Sequence, residues 1–149
     1  FASYAGNTVG SILCAAMFFA AGLASGATAE FIEKLALYKV SPTFSELFWR
    51  GVLCNILVCM AVWGFYKLQN EAAKILMIFC CIFPFITSGF EHSIANITLF
   101  TLAALIPGGD VGLQHFIHNL IPVTLGNAVG GALFVGCSFW LSERALQKK

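Results

Sequence analysis

Charge is what this sequence has least of. Asp, Glu, Lys and Arg make up 10% of its 149 residues, against about 25% in an ordinary soluble domain. Polar surface on that scale cannot cover a water-soluble globule. The basic residues form no cluster or stripe and the formal net charge is +1, so nucleic acid is excluded as a partner. No CxxC occurs, and the six cysteines (14, 54, 59, 80, 81 and 137) all lie in apolar stretches. They read as small buried hydrophobes rather than a disulfide framework or a metal set. The apolar stretches also lack the period-2 alternation of a barrel strand. What remains is a chain that is 59% hydrophobic with a mean hydropathy of +0.86. It reads as an all-α integral membrane protein in one domain, residues 1–149, with room for about four or five crossings of about 20 residues each.

A first span is expected at residues 4–23, rich in the small residues that let membrane helices approach closely. Residues 25–47 carry Glu30, Glu33, Lys34, Lys39 and Glu46 and turn at Ser41-Pro42. They read as a connector outside the membrane, with a short amphipathic helix at 28–38. A second span follows at 48–66 and a polar loop at 67–74. The next apolar stretch, 75–106, is too long for one simple crossing. Its middle reads Thr87-Ser88-Gly89-Phe90-Glu91-His92-Ser93. Glycine flanked by hydroxyls and ionisable groups at membrane depth predicts a broken helix, with halves at 75–88 and 92–106. Such a break is tolerated only inside protein or beside a water-filled cavity. The last span is expected at 119–141. Lys67, Lys74, Arg144, Lys148 and Lys149 fall on one side of the membrane, and Lys34, Lys39 and Arg50 on the other. The positive-inside rule then places the C-terminus in the cytoplasm.

The first span contains Gly6-Asn7-Thr8-Val9-Gly10-Ser11 and the last Gly126-Asn127-Ala128-Val129-Gly130-Gly131. Both read G-N-x-V-G-small, on helices that the expected topology runs in opposite directions. That is the mark of an inverted-topology repeat of three helices, with sites at the repeat interface. The glycine pairs themselves are GxxxG motifs and read as close-packing positions.

His92 is the strongest candidate. An ionisable residue at mid-membrane is a functional-site hypothesis by default, the alternative being a histidine satisfied by carbonyls at the break. Glu91 reads as a cap on amides at the start of the second half-helix, because a further negative charge would repel an anion. Ser88 and Gly89 form the break, and Asn96, one turn after His92, supports it. Asn55 and Asn127 are either interhelical hydrogen-bond donors or amides lining a pore. His115 and His118 have no evident third ligand and read as interfacial histidines rather than a metal site. No cofactor is called for. The chain holds no nucleophile set for an enzyme, and no Asn-Pro-Ala for an aquaporin-type water or glycerol channel.

Three stretches carry a resemblance. They are Arg50-Gly51-Val52-Leu53-Cys54-Asn55-Ile56-Leu57-Val58-Cys59, Gly89-Phe90-Glu91-His92-Ser93-Ile94-Ala95-Asn96 and Asn119-Leu120-Ile121-Pro122-Val123-Thr124-Leu125-Gly126-Asn127. Together they resemble the formate–nitrite transporter family. The resemblance implies an aquaporin-like six-helix protomer with inverted three-helix repeats, assembled as a homopentamer in the bacterial inner membrane. It also implies that this chain is helices three to six of that protomer, the first two being absent. Its substrates would be small monovalent anions of weak acids: nitrite, formate or hydrosulfide. The stretch 97–102 looks closer to the nitrite branch. The resemblance gives His92, Asn55 and Asn127 a place in the pore and makes Phe85 and Val58 a hydrophobic constriction. It turns Lys39, otherwise a solvated charge, into an anion-attracting residue at the outer mouth.

Overall fold

The computed structural model describes residues 2–147, and every regular element among them is helical. In chain order the helices are α1 (Ala2–Ala20), α2 (Gly26–Val40), α3 (Phe44–Lys67), α4 (Glu71–Thr87), α5 (Ser93–Leu105) and α6 (Leu113–Val129). A π-helical stretch, Gly130–Cys137, then leads into α7 (Ser138–Gln147). Among the described residues, three helical runs are long and apolar enough to cross a membrane: Ala2–Ala20, Phe44–Lys67 and Leu113–Ala145. The expected break is present, since α4 ends at Thr87 and α5 starts at Ser93. With 13 residues, α5 is about 20 Å long and falls short of a bilayer core of about 30 Å. Lys148 and Lys149, part of the charge count above, lie outside the described residues.

The chain divides into two compact units. The first holds the chain up to Phe44 together with Ser93–Ile121. Within it, α5 packs on both α1 and α2. Ile32 and Ala36 are one turn apart on α2, so they share a face. They bury it with Phe100 and Ala103 of α5 and with Val111. Phe116 of α6 lies 5.4 Å, centroid to centroid, from Phe100. Ser11 and Ala15 form the buried stripe of α1, and the Ser11 hydroxyl donates to Ile94 O at 3.3 Å. α1 stops at Ala20 rather than near residue 23, because Gly22 turns the chain at a φ of 73° that disfavours other residues.

The second unit holds Ser45–His92 and the chain from Pro122 onward. Here α3 meets α6 and the π stretch with almost no room between backbones. A methyl group on Gly126 would collide with Phe48 O, and one on Gly130 with Val52 O. One on Gly51 would come within 2.8 Å of Val123 O. The Gly126/Gly130 pair is therefore the close-packing motif expected of it. At Gly6 and Gly10 an added methyl group would meet nothing within 4 Å among the described residues beyond α1's own backbone, so the described residues supply no partner for that pair.

Two boundaries also moved. α4 begins at Glu71, inside the expected polar loop, because Asn70 caps it by accepting the Ala73 amide at 3.0 Å. Lys74 then pairs with Glu71 at 2.7 Å across the first turn. α6 begins at Leu113, ahead of the expected 119, and His115 Nδ1 accepts the Gly112 amide at 3.0 Å at its start.

Candidate functional site

The break is the chemically richest part of the second unit. Pro84 near the end of α4 lacks the amide that a helix interior uses. Thr87 Oγ1 donates back to Phe83 O at 2.9 Å, and the Ser88 amide reaches Pro84 O at 2.9 Å. Gly89 then takes a φ of 69°, which glycine adopts without the cost a Cβ would add. The Phe90 amide folds back onto Phe85 O at 3.1 Å. Ser88 and Gly89 thus form the turn, as the sequence suggests.

Glu91 is tied at both of its backbone groups. Its amide donates to Arg50 O of α3 at 3.3 Å. Its carbonyl accepts from Asn127 Nδ2 of α6 at 2.9 Å. The same Nδ2 donates to Gly51 O at 2.9 Å, so both protons of the Asn127 amide serve backbone carbonyls. Asn55 Nδ2 in turn donates to Asn127 O at 2.6 Å. The Glu91 side chain is 1% exposed, and no buried side-chain oxygen or nitrogen among the described residues lacks a hydrogen-bond partner. Three segments distant in sequence are therefore locked at one point by neutral amides. That suits a membrane interior, where an unsatisfied backbone group costs several kcal/mol.

His92 follows this anchored residue and is half-buried. Its ring is 6.4 Å from that of Phe85, tilted by 45°. The imidazole thus stands beside an aromatic wall on a backbone whose preceding residue cannot easily move. Val58 lies one turn beyond Asn55 on α3. It lines an apolar groove of about 280 Å³ with Ala61, Val62, Phe65, Ile78 and Ile82. In this unit the structure gathers His92, Glu91, Phe85, Asn127 and Asn55 around the break, with Val58 farther along α3.

The first unit holds the other two candidates. Asn96 of α5 is 1% exposed and donates to Asn119 Oδ1 at 2.8 Å. Asn119, fully buried, donates to Lys39 O at 2.7 Å. Lys39 is half-buried in the last turn of α2, where the helix dipole favours a cation. Asn119 was not singled out as a site residue from the sequence. Its signal was the one that flagged Asn55 and Asn127, an amide inside an apolar stretch, but it stood at the expected edge of a span. His115 and His118 each engage the backbone. His118 Nε2 lies 3.0 Å from Pro42 O, and no group of three metal-ligating side chains occurs among the described residues.

The family model described as "Formate/nitrite transporter" matches residues 1–141. An uncharacterized transporter of Bacillus subtilis, YwcJ, is 44% identical over 140 residues, covering 93% of this chain and 55% of the relative. The nitrite transporter NirC of Escherichia coli is 39% identical, covering 93% and 52%. A solved structure titled "FNT family ion channel" superposes with a TM-score of 0.85 at 38% identity, over 93% of this chain and 56% of that one. Another, "Pentameric formate channel with formate bound", gives 0.83 at 33% identity, over 94% and 63%. The chain spans about half the length of the curated relatives it matches.

Proposed function

The chain belongs to the formate/nitrite transporter family, a multi-pass membrane protein group, and on that premise we propose that the whole protein conducts small monovalent anions of weak acids through a pore centred on His92. The single observation that carries the reading is the anchored break. Glu91 is fixed through Arg50 O and Asn127 Nδ2, and the histidine beside it stands against Phe85. An imidazole so held can donate a hydrogen bond or a proton to an anion, and α5, which starts at the next residue, carries partial positive charge at its N-terminus. Phe85 and Val58 act as apolar collars, which pass a neutral acid more readily than a hydrated ion. Lys39 raises the local anion concentration at the outer mouth.

In this reading the protomer is a single channel domain, six-helix and aquaporin-like, with inverted three-helix repeats. It assembles as a homopentamer in the bacterial inner membrane with its C-terminus in the cytoplasm. The pentameric neighbour supports the assembly. Nitrite is the preferred substrate. A nitrite transporter and a formate channel are both similar to this chain; the preference for nitrite rests on the stretch 97–102, and formate stands as the second reading, with hydrosulfide after it. His92 relays the proton that accompanies the anion.

The test is flux into liposomes holding the whole-length protein, with nitrite, formate and hydrosulfide, with and without an inward proton gradient. Saturable nitrite flux, accelerated by the gradient, is expected. His92→Asn keeps a polar side chain but cannot relay a proton. It should retain flux and lose the acceleration. Gradient-dependent flux unchanged in that variant would remove His92 from the proton path. Water permeation without anion flux would remove the anion reading.

A further inference from the structure

The mouth residue Lys39 is held from behind. At the end of a helix the last four carbonyls have no amide of their own helix to accept from. At the end of α2 the structure serves two of them. Ser41 takes Tyr38 O, through its amide at 3.4 Å and its hydroxyl at 2.8 Å. Lys39 O is taken by Asn119 Nδ2 of α6, at 2.7 Å. This is a helix cap supplied from a different helix, from a side chain with no exposure at all. The other end of the same amide is also occupied, because Asn119 Oδ1 accepts from Asn96 Nδ2 of α5 at 2.8 Å. The neighbouring His118 reaches Pro42 O at 3.0 Å. Two successive residues of α6 thus grip the connector on both sides of its Ser41 turn.

We infer that Asn119 is a positioning residue for anion entry: it fixes the last turn of α2, and so the place from which Lys39 presents its charge. Asn119 does not touch the anion, being buried. It acts through the backbone of Lys39, and Asn96 orients it by fixing which end of the carboxamide faces α2. The inference rests on the proposed role of Lys39. A displaced lysine weakens anion capture at low concentration and leaves passage through the constriction alone. The half-saturating concentration should therefore change, and the maximal flux should not.

The experiment is initial anion flux into liposomes holding the whole-length protein, measured against nitrite or formate concentration. The variants are Asn119→Leu, Lys39→Gln and the double substitution. Lys39→Gln is expected to raise the half-saturating concentration about 3- to 10-fold, more at low salt than at high salt. Asn119→Leu should raise it about 2- to 5-fold and hold maximal flux within about twofold. The double variant should match Lys39→Gln alone. If Asn119→Leu yields no folded oligomer, Asn119→Gln is read instead. It keeps donor and acceptor one methylene farther out, and a smaller rise that again vanishes in the Lys39→Gln background is expected. A rise that persists undiminished in that background overturns the inference, because Asn119 then acts elsewhere. So does an unchanged half-saturation in the Asn119 variant while Lys39→Gln shows its effect. If Lys39→Gln itself changes nothing, the mouth role of Lys39 fails and the inference falls with it. Absence of flux in the unmodified protein rejects the channel reading on which both depend.

Discussion

Asn127 does the work at the break that a charged residue could do only at a high cost in lipid. Its two amide protons meet two carbonyl oxygens, Gly51 O and Glu91 O. Gly51 lies inside α3, where its carbonyl already accepts a helical amide. The Glu91 carbonyl lies outside any helix, so it depends on Asn127 more heavily. Asn127→Leu removes the donor and strands that carbonyl, which costs about 1–3 kcal/mol, with a smaller loss at Gly51. Asn127→Asp should be worse. A carboxylate has the same shape but only acceptors, and it would face two carbonyl oxygens. Thermal unfolding in detergent checks both. The expected order of midpoints is wild type, then Leu, then Asp, and an Asp variant as stable as wild type would mean that the amide is not the clamp.

Among elements, the contact of α3 with α6 and the π stretch brings backbones together without room for a methyl group, and it depends on glycine. The obstacles facing Gly126 and Gly130 are the carbonyls of Phe48 and Val52, backbone atoms that cannot rotate aside. Alanine at either position forces the helices apart, at the upper end of the about 1–3 kcal/mol typical of overpacking. Separation also lengthens the Asn127 to Gly51 bond, so loss of anion flux should accompany the fall in melting temperature. Unchanged stability in Gly126→Ala and Gly130→Ala would show that α3 can yield. Element existence was legible in the sequence wherever the apolar runs were long. So was the break, because Ser88, Gly89, Glu91 and His92 cannot continue a lipid-facing helix without partners. The helix starts at Glu71 and Leu113 were not, because each depends on one local hydrogen bond, from the Asn70 cap and to His115 Nδ1. The partners of Asn127 and Asn119 were invisible for a different reason. The acceptors to which their amides donate are backbone carbonyls 36 to 80 residues away in sequence, and nothing in the type of a residue announces that its carbonyl will be used.

At the scale of the whole molecule, the two G-N-x-V-G motifs make opposite statements in this chain. Gly126 and Gly130 are pressed against another backbone, whereas Gly6 and Gly10 face open space among the described residues. α1 is correspondingly bare, with 11% of its apolar window buried. The proposed inverted repeat resolves the difference. If α1 and the last helix are mates, the α1 glycines in the whole protein meet a helix equivalent to α3, at the same close distance. Small residues at such crossings allow the packing on which membrane helix association depends. The consequence is specific. In the whole-length protein, Gly6→Ala and Gly10→Ala should lower the melting temperature about as much as Gly126→Ala and Gly130→Ala. Without a facing helix, alanine would instead be neutral or stabilise by up to about 1 kcal/mol, through its higher helix propensity. The two outcomes differ in sign. A set of four single substitutions, melted in detergent under one condition, therefore decides whether the repeat is a packing symmetry or a likeness of letters. Equal losses at all four positions support a second copy of the α3 crossing in the complete protomer. Losses confined to 126 and 130 remove α1 from the repeat, and with it the argument for an aquaporin-like arrangement of the six helices.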